Sequence, residues 1–254
     1  MSHRHDSGIS ADSSGLPWHG RELSDTDFAD DDGRPDPAVL AALGAALADP
    51  SSETEAALLR AVAGARWLVP IVAIAVDTEI HDGMRTEGHS EMAAVTLVAP
   101  DGGRALPVFS GLTALAAWNP QARPVPVTAD RVAQAAVGEG CDTMLLDLGS
   151  DQATVLRPSM VWALAMRHEW RPAHDDPVVA EGVAAAVAAE PEVVTHVLSE
   201  GAPGAGVLRI TLVLPPGLDE SAIGALAVRI GERIATDGEL RARIDGLTFA
   251  IRPA

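Results

Sequence analysis

The stretch from Met92 to Val127, MAAVTLVAPDGGRALPVFSGLTALAAWNPQARPVPV, changes its hydrophobic period twice, and the fold class follows from those changes. Met92–Ala99 and Arg104–Phe109 are β-prone runs on either side of Pro100-Asp101-Gly102-Gly103, a turn cluster, which predicts a hairpin. Pro107 has no N–H to give to a ladder, so it places the second strand at an edge or a bulge. Gly111–Trp118 reads as a short helix, and Val125 and Val127 then alternate with Pro124 and Pro126 in an extended segment. Strand, turn, strand, helix and strand in so short a span describe a mixed fold rather than a bundle or a sandwich.

Working outward, Asp36–Leu47 and Ser52–Gly64 carry apolar residues at helical spacing (Leu40, Leu43 and Leu47; Leu58, Leu59 and Val62), with Asp36-Pro37 as a start signal. Trp67–Val76 reads as a buried strand with Pro70 at its start or at a bulge, and Asp77–Ser90 as a polar loop. Downstream, Thr128 opens a helix that closes near Gly138, Thr143–Leu148 and Ala153–Leu156 form a strand pair, and Ser159 after Pro158 is expected to cap the next helix. Periodicity stops across Arg171–Asp176, the expected domain boundary. It restarts at Asp176-Pro177 with a helix, strands at Val193–Leu198 and Val207–Leu214, a long helix from Asp219 and a last strand at Leu247–Ile251. The expected fold is α+β: two small mixed modules, each a sheet with helices packed mainly on one face, over 37–172 and 173–254. Residues 1–36 hold nine acidic residues against three Arg and few large apolar ones, the composition of a disordered acidic tail.

Of the 254 residues 47% are hydrophobic and 21% charged, enough for a real core. The longest apolar run, Trp67–Val76, is about half the roughly 20 residues a membrane span needs, so no membrane partner is expected. A polar N-terminus without an apolar h-region and a single cysteine, Cys141, fit a cytoplasmic setting. The net charge of -18 repels polyphosphate, which argues against nucleic acid. All 18 basic residues are Arg and Tyr is absent, which excludes a lysine Schiff base, a P-loop lysine and a tyrosine acid.

No residue earns a catalytic, cofactor or metal role. Cys141 follows a helix C-terminus between Glu139 and Asp142, where its thiolate is disfavoured. His81 and His89, with Glu79, Asp82, Glu87 and Glu91, match no metal-ligand spacing. His196 between Val194 and Leu198 reads as a core imidazole, and Gly88-His89-Ser90-Glu91-Met92 lacks the second glycine of a nucleophile elbow. Gly201, Gly204 and Gly206 run into a strand rather than a helix N-terminus, so they form a hairpin loop and not a phosphate cradle. Phe109, Ser110 and Trp118 are the candidate partner-binding residues. An edge strand beside aromatic rings can template a peptide strand, although core packing of both rings is the plainer reading.

The segments ARWLVPIVAIAV (65–76), DGGRALPVFS (101–110), Trp118, Arg123-Pro124-Val125 and LRPSMVWALA (156–165) resemble the N-terminal domain of the SseB family, named for enhanced serine sensitivity. The downstream module is similar to the C-terminal one of such proteins in the order of its elements. The resemblance implies a regulatory or interaction module with no assigned reaction, and no cofactor is expected. The expected function is therefore non-catalytic binding of a protein or peptide. An enzyme whose site is assembled from distant residues and a structural homo-oligomer are the alternatives.

Overall fold

The computed structural model describes residues 28–75, 80–81, 84–85, 90–100 and 102–254, with side chains described outside 73–93. Most of the expected acidic tail, and the side chains of the His81 and His89 segment, lie outside them. The chain from Gly33 to Ala254 forms one compact unit.

Helices α1 (Pro37–Ala48) and α2 (Ser52–Gly64) come first. Asp36 caps α1 by accepting from the Ala38 N–H at 2.8 Å, and Ser51 and Thr54 close a capping box on α2. The buried stripe of α1 is Val39 and Leu43, not Leu40 and Leu47: Leu47 is exposed because the helix docks one position round from the leucine spacing.

Strand β1 (Arg66–Ala75) is central to a sheet of order β4-β1-β7, with β4 at Ser90–Ala94 and β7 at Arg123–Thr128. A short hairpin, β2 (Ile80–His81) and β3 (Met84–Arg85), lies in the segment expected to be a loop. A second sheet runs β5-β6-β8-β9, made of Leu97–Val98, Arg104–Val108, Thr143–Leu146 and Thr154–Leu156. The expected hairpin is therefore divided: Leu97 and Val98 pair with Ala105 and Arg104, while β4 leaves for β1. Leu68 and Phe109 bond reciprocally, at 2.8 and 2.9 Å, and join the two sheets.

The prolines fall where the ladder has nothing to receive from them. Pro107 lies on β6 between Ala105, paired with Leu97, and Phe109, paired with Leu68. Pro70 sits where β1 exchanges Phe109 for β4. Because Leu68 turns its backbone groups to Phe109, its opposite residues on β7, Pro126 and by the same alternation Pro124, turn theirs to the open edge.

One face of these strands carries the first core. Trp67, Val69, Leu106, Val108, Met144 and Leu156 pack there against α1, α2, α4 (Ala129–Gly138) and α5 (Pro158–Ala165). The opposite face holds a small cluster, Leu68, Phe109 and Leu115, covered by α3 (Leu112–Trp118). A separate core forms where α6 (Pro177–Ala188) and α7 (Glu220–Thr236) cover the sheet β10-β11-β12, at Thr195–Glu200, Val207–Leu214 and Gly246–Pro253. Leu208, Ile210, Leu212 and Leu214 are buried in strict alternation on β11. A short helix not expected from the sequence, α8 (Gly238–Arg243), adds Leu240, which fills the space a Cβ at Gly182 would need. His196 is half-buried at the edge of this sheet rather than in its core, because β10 is the outermost strand.

Glu190, buried just beyond α6, ties that helix to α7 through Arg229 at 2.5 Å and Arg233 at 2.6 Å. The Arg229 hydrogen bond is the largest influence on its carboxyl; burial opposes it and Arg233 reinforces it, leaving a pKa of about 2 against an ordinary 4.5. A depressed folded-state value means that the stabilisation is complete above pH 4.5 and is lost as pH falls toward 2. Thermal melts across that window should fall more steeply for the natural chain than for Glu190→Gln; parallel curves would show that the pair contributes nothing.

Candidate functional site

Arg157 precedes Pro158 at the start of α5, and its guanidinium meets three other segments. Nε donates to Asp245 at 3.0 Å, Nη1 and Nη2 donate to the two carboxylate oxygens of Glu55 at 2.5 and 2.9 Å, and Nη1 also reaches the Gly204 carbonyl at 3.3 Å. Glu55 comes from α2, Gly204 from the glycine-rich loop, and Asp245 from the residue before β12. Ser159 was expected to cap α5. Arg157 occupies the cap position instead, and Ser159 gives its N–H and hydroxyl to Asp245, each at 2.8 Å, while Trp170 donates its indole N–H to the Ser159 oxygen at 3.0 Å. The Arg157 guanidinium also lies 5.8 Å from the Trp170 ring centroid.

Burial works against the charge on Arg157, but the hydrogen bonds and fields of Glu55 and Asp245 outweigh it, so the guanidinium stays charged with its pKa raised. The glycine-rich loop acquires its reason here. Gly206 has φ +67°, and a Cβ on it would run into the guanidinium and come within 2.8 Å of an Asp245 oxygen. Its glycines cradle a cation supplied by the chain itself. A second buried pair lies alongside: Arg243 of α8 bonds to Asp176 at 2.8 Å, which also caps α6, and stacks 5.0 Å from the Trp162 centroid.

The sequence-predicted residues are placed apart from this cluster. Phe109 is fully buried, and its N–H and C=O both bond to Leu68, so β6 ends in a ladder rather than at a free edge. Ser110 is buried too. Its N–H and hydroxyl donate to Asp147 at 2.7 Å each, and its carbonyl accepts from Arg66 at 2.6 Å. Asp147 takes a left-handed φ of 48° at the end of β8, which turns its carboxylate back onto Ser110. Trp118 is half-buried, 5.3 Å from the Phe109 ring, and is the member of the three that reaches solvent. Cys141 is buried, and desolvation pushes its thiol up, in keeping with an unreactive position. Among the described residues no His, Cys, Asp and Glu group has the arrangement of a metal site, and no helix is long and apolar enough to cross a membrane.

A groove of about 380 Å³ opens where α5 ends, lined by Arg60, Ala63, Asp130, Leu164, Arg167 and His168. Its floor is apolar and its rim carries both signs of charge. Arg167 holds a left-handed φ of 56°, the place of the usual glycine in a Schellman ending, with the Arg167 and His168 N–H groups bonded to Leu164 and Ala163. From there it pairs with Asp130. A hydrogen bond from Thr128 and then the Arg167 contact hold that carboxyl at about 2.

Arg157 and Asp245 were not singled out from the sequence, and Ser159 only as a helix cap. The available signals were an Arg in front of Pro158 at a helix start and Asp245 ahead of a strand, each common by itself. A family model described as SseB protein N-terminal domain matches residues 39–163. No curated protein and no solved structure matches the chain.

Removing Asp245 strips Arg157 of one partner and Ser159 of both acceptors. Asp245→Ala should cost about 3–5 kcal/mol, the usual penalty for breaking a buried pair. Asp130→Ala, whose partner Arg167 is exposed, should cost about 0–1 kcal/mol. Urea unfolding of both variants measures the difference; equal losses would remove the special position of the Arg157 cluster.

Proposed function

This chain belongs to the SseB family, and from that premise we propose that it is a non-catalytic module that binds a protein or peptide segment. The observation that carries the reading is how the charged side chains are used. The clustered ones, Arg157, Glu55 and Asp245, spend their donors and acceptors on one another. An acid–base pair or nucleophile must instead keep a group directed at a substrate. A concavity beyond them is the groove at the end of α5, lined by Leu164 and Ala63 together with Arg60, His168 and Asp130. A wet, mixed-charge rim around a small apolar floor is the composition of a transient protein interface.

Trp118 is the second contact in the proposal, since it is the half-exposed ring of the aromatic pair expected to dock a partner. A photo-crosslinking residue placed at His168, at Trp118 or, as control, at the exposed Val228 of α7 tests this in cells that make the protein. Discrete adducts from His168 or Trp118 but not from Val228 are expected. Adducts at none of the three, or equally at all, would overturn the reading, and would leave an enzyme or a structural role in its place.

A further inference from the structure

Strand β12 forms one border of the sheet β10-β11-β12, and among the described residues nothing pairs with its outer side. Several of the other edges are blunted. On β7, Pro124 and Pro126 remove outward donors; β9 spans three residues and β5 two; and β10 turns the backbone of His196 and Glu200 outward, beside ionisable side chains. β12, with the sequence GLTFAIRP, is eight residues long and carries no charge in the six before Arg252. The Ala254 N–H bonds to Leu214 of β11, so by alternation the even-numbered residues of β12 face β11. Leu247, Phe249 and Ile251 therefore turn their N–H and C=O groups to the open side. Their side chains lie on the helix-covered face, yet Leu247 and Phe249 are only half-buried and Ile251 is 43% exposed.

We propose that β12 pairs antiparallel with β12 of a second copy of this chain, centred on Phe249, joining two three-stranded sheets into one. The occupant is argued from self-complementarity. With Phe249 opposite Phe249 of the second copy, Leu247 meets Ile251 and Thr248 meets Ala250, so every outward backbone group finds a partner, about six hydrogen bonds in all. Shifting the centre to Ala250 sets Leu247 against Pro253, which has no N–H, and shifting it to Thr248 leaves Ile251 without a strand partner. In the Phe249 register the apolar side chains stay on the helix side and the small ones on the other, as sheet alternation demands. Arg252 falls opposite Gly246, next to Asp245, so no like charges oppose across the pair. On the uncovered face of β11 and β12, Arg209 and Arg252 stand among Thr, Val and Ala with no acidic residue, although the chain as a whole carries -18. Repulsion between two such copies is long-ranged, so salt strengthens the association.

Light scattering on the full chain, at low and high salt, should give a mass twice 26.2 kDa, reached at lower protein concentration in the higher salt. Amide exchange followed residue by residue supplies the specific signature. Thr248 and Ala250 are protected at any dilution by β11, whereas Leu247, Phe249 and Ile251 should slow by at least about tenfold as the dimer forms. Ile251→Lys puts a like charge at both ends of the pair and should return the mass to 26.2 kDa without changing the circular dichroism. A monomer at all concentrations and salts overturns the proposal. So does a dimer in which those three amides still exchange freely, or protection that appears only when a different protein is added. If Ile251→Lys fails to fold, the concentration dependence of exchange in the natural chain decides alone.

Discussion

A guanidinium carried below the surface needs acceptors on several sides, and Arg157 draws them from parts of the chain that share no local structure. Glu55 on α2, the Gly204 carbonyl and Asp245 before β12 converge on it, with Ser159 and Trp170 behind. Desolvating an ion pair costs several kcal/mol per charge, so such a cluster gains little over an apolar plug of the same volume. What it adds is selectivity of arrangement: the geometry is satisfied when α2, α5, the glycine-rich loop and the start of β12 all occupy their places. The first core, Val39 to Trp170, and the second, Val179 to Leu240, bury different residues. The polar cluster is one of the means by which they form one compact unit.

The cluster also bears on chemistry. Arg157 keeps its charge because Glu55 and Asp245 outweigh the cost of burial, and Asp245 spends its oxygens on Arg157 and Ser159. A carboxylate so occupied cannot move toward a substrate without leaving an arginine and a serine unpaired, at a penalty larger than most binding contacts return. The Ser110–Asp147 pair is under the same restriction, enclosed between the ends of β6 and β8. Buried charge here serves architecture.

What could be read from the sequence was what local physics decides. Asp36-Pro37, Asp176-Pro177 and Asp219 are helix starts because a carboxylate cap and a fixed φ act within one turn, and each accepts the expected N–H. Val207–Leu214 was legible to the residue, since strict alternation permits one buried face. The prolines announced gaps in the ladders correctly but could not say which strands the gaps lay between. The run Met92–Ala99 looked continuous, and its division between β4 and β5 depends on β1 lying alongside, a pairing no local window contains. Ser159 resembled a cap by spacing; only the arrival of Asp245 from far along the chain gave its hydroxyl another partner.

The glycines of the loop after β10 show the same limit from the other direction. In the sequence, Gly201, Gly204 and Gly206 read as a hairpin loop, and β10 and β11 do pair antiparallel on either side of it, but the glycines do not say what their backbone approaches. The structure places a cation there, and a Cβ at Gly206 is excluded by the guanidinium that Asp245 and Glu55 hold in position. Spacing reports that a close approach occurs; the sign of the charge that approaches is set by residues remote in sequence. The surfaces considered for binding follow this rule too. Phe109 gave a correct signal of aromatic packing but not of an open edge, because the strand that closes it, β1, lies dozens of residues upstream. The edge strand β12 drew no notice as a site, since a strand with alternating side chains and one charge near its end reads as interior until its neighbours are known.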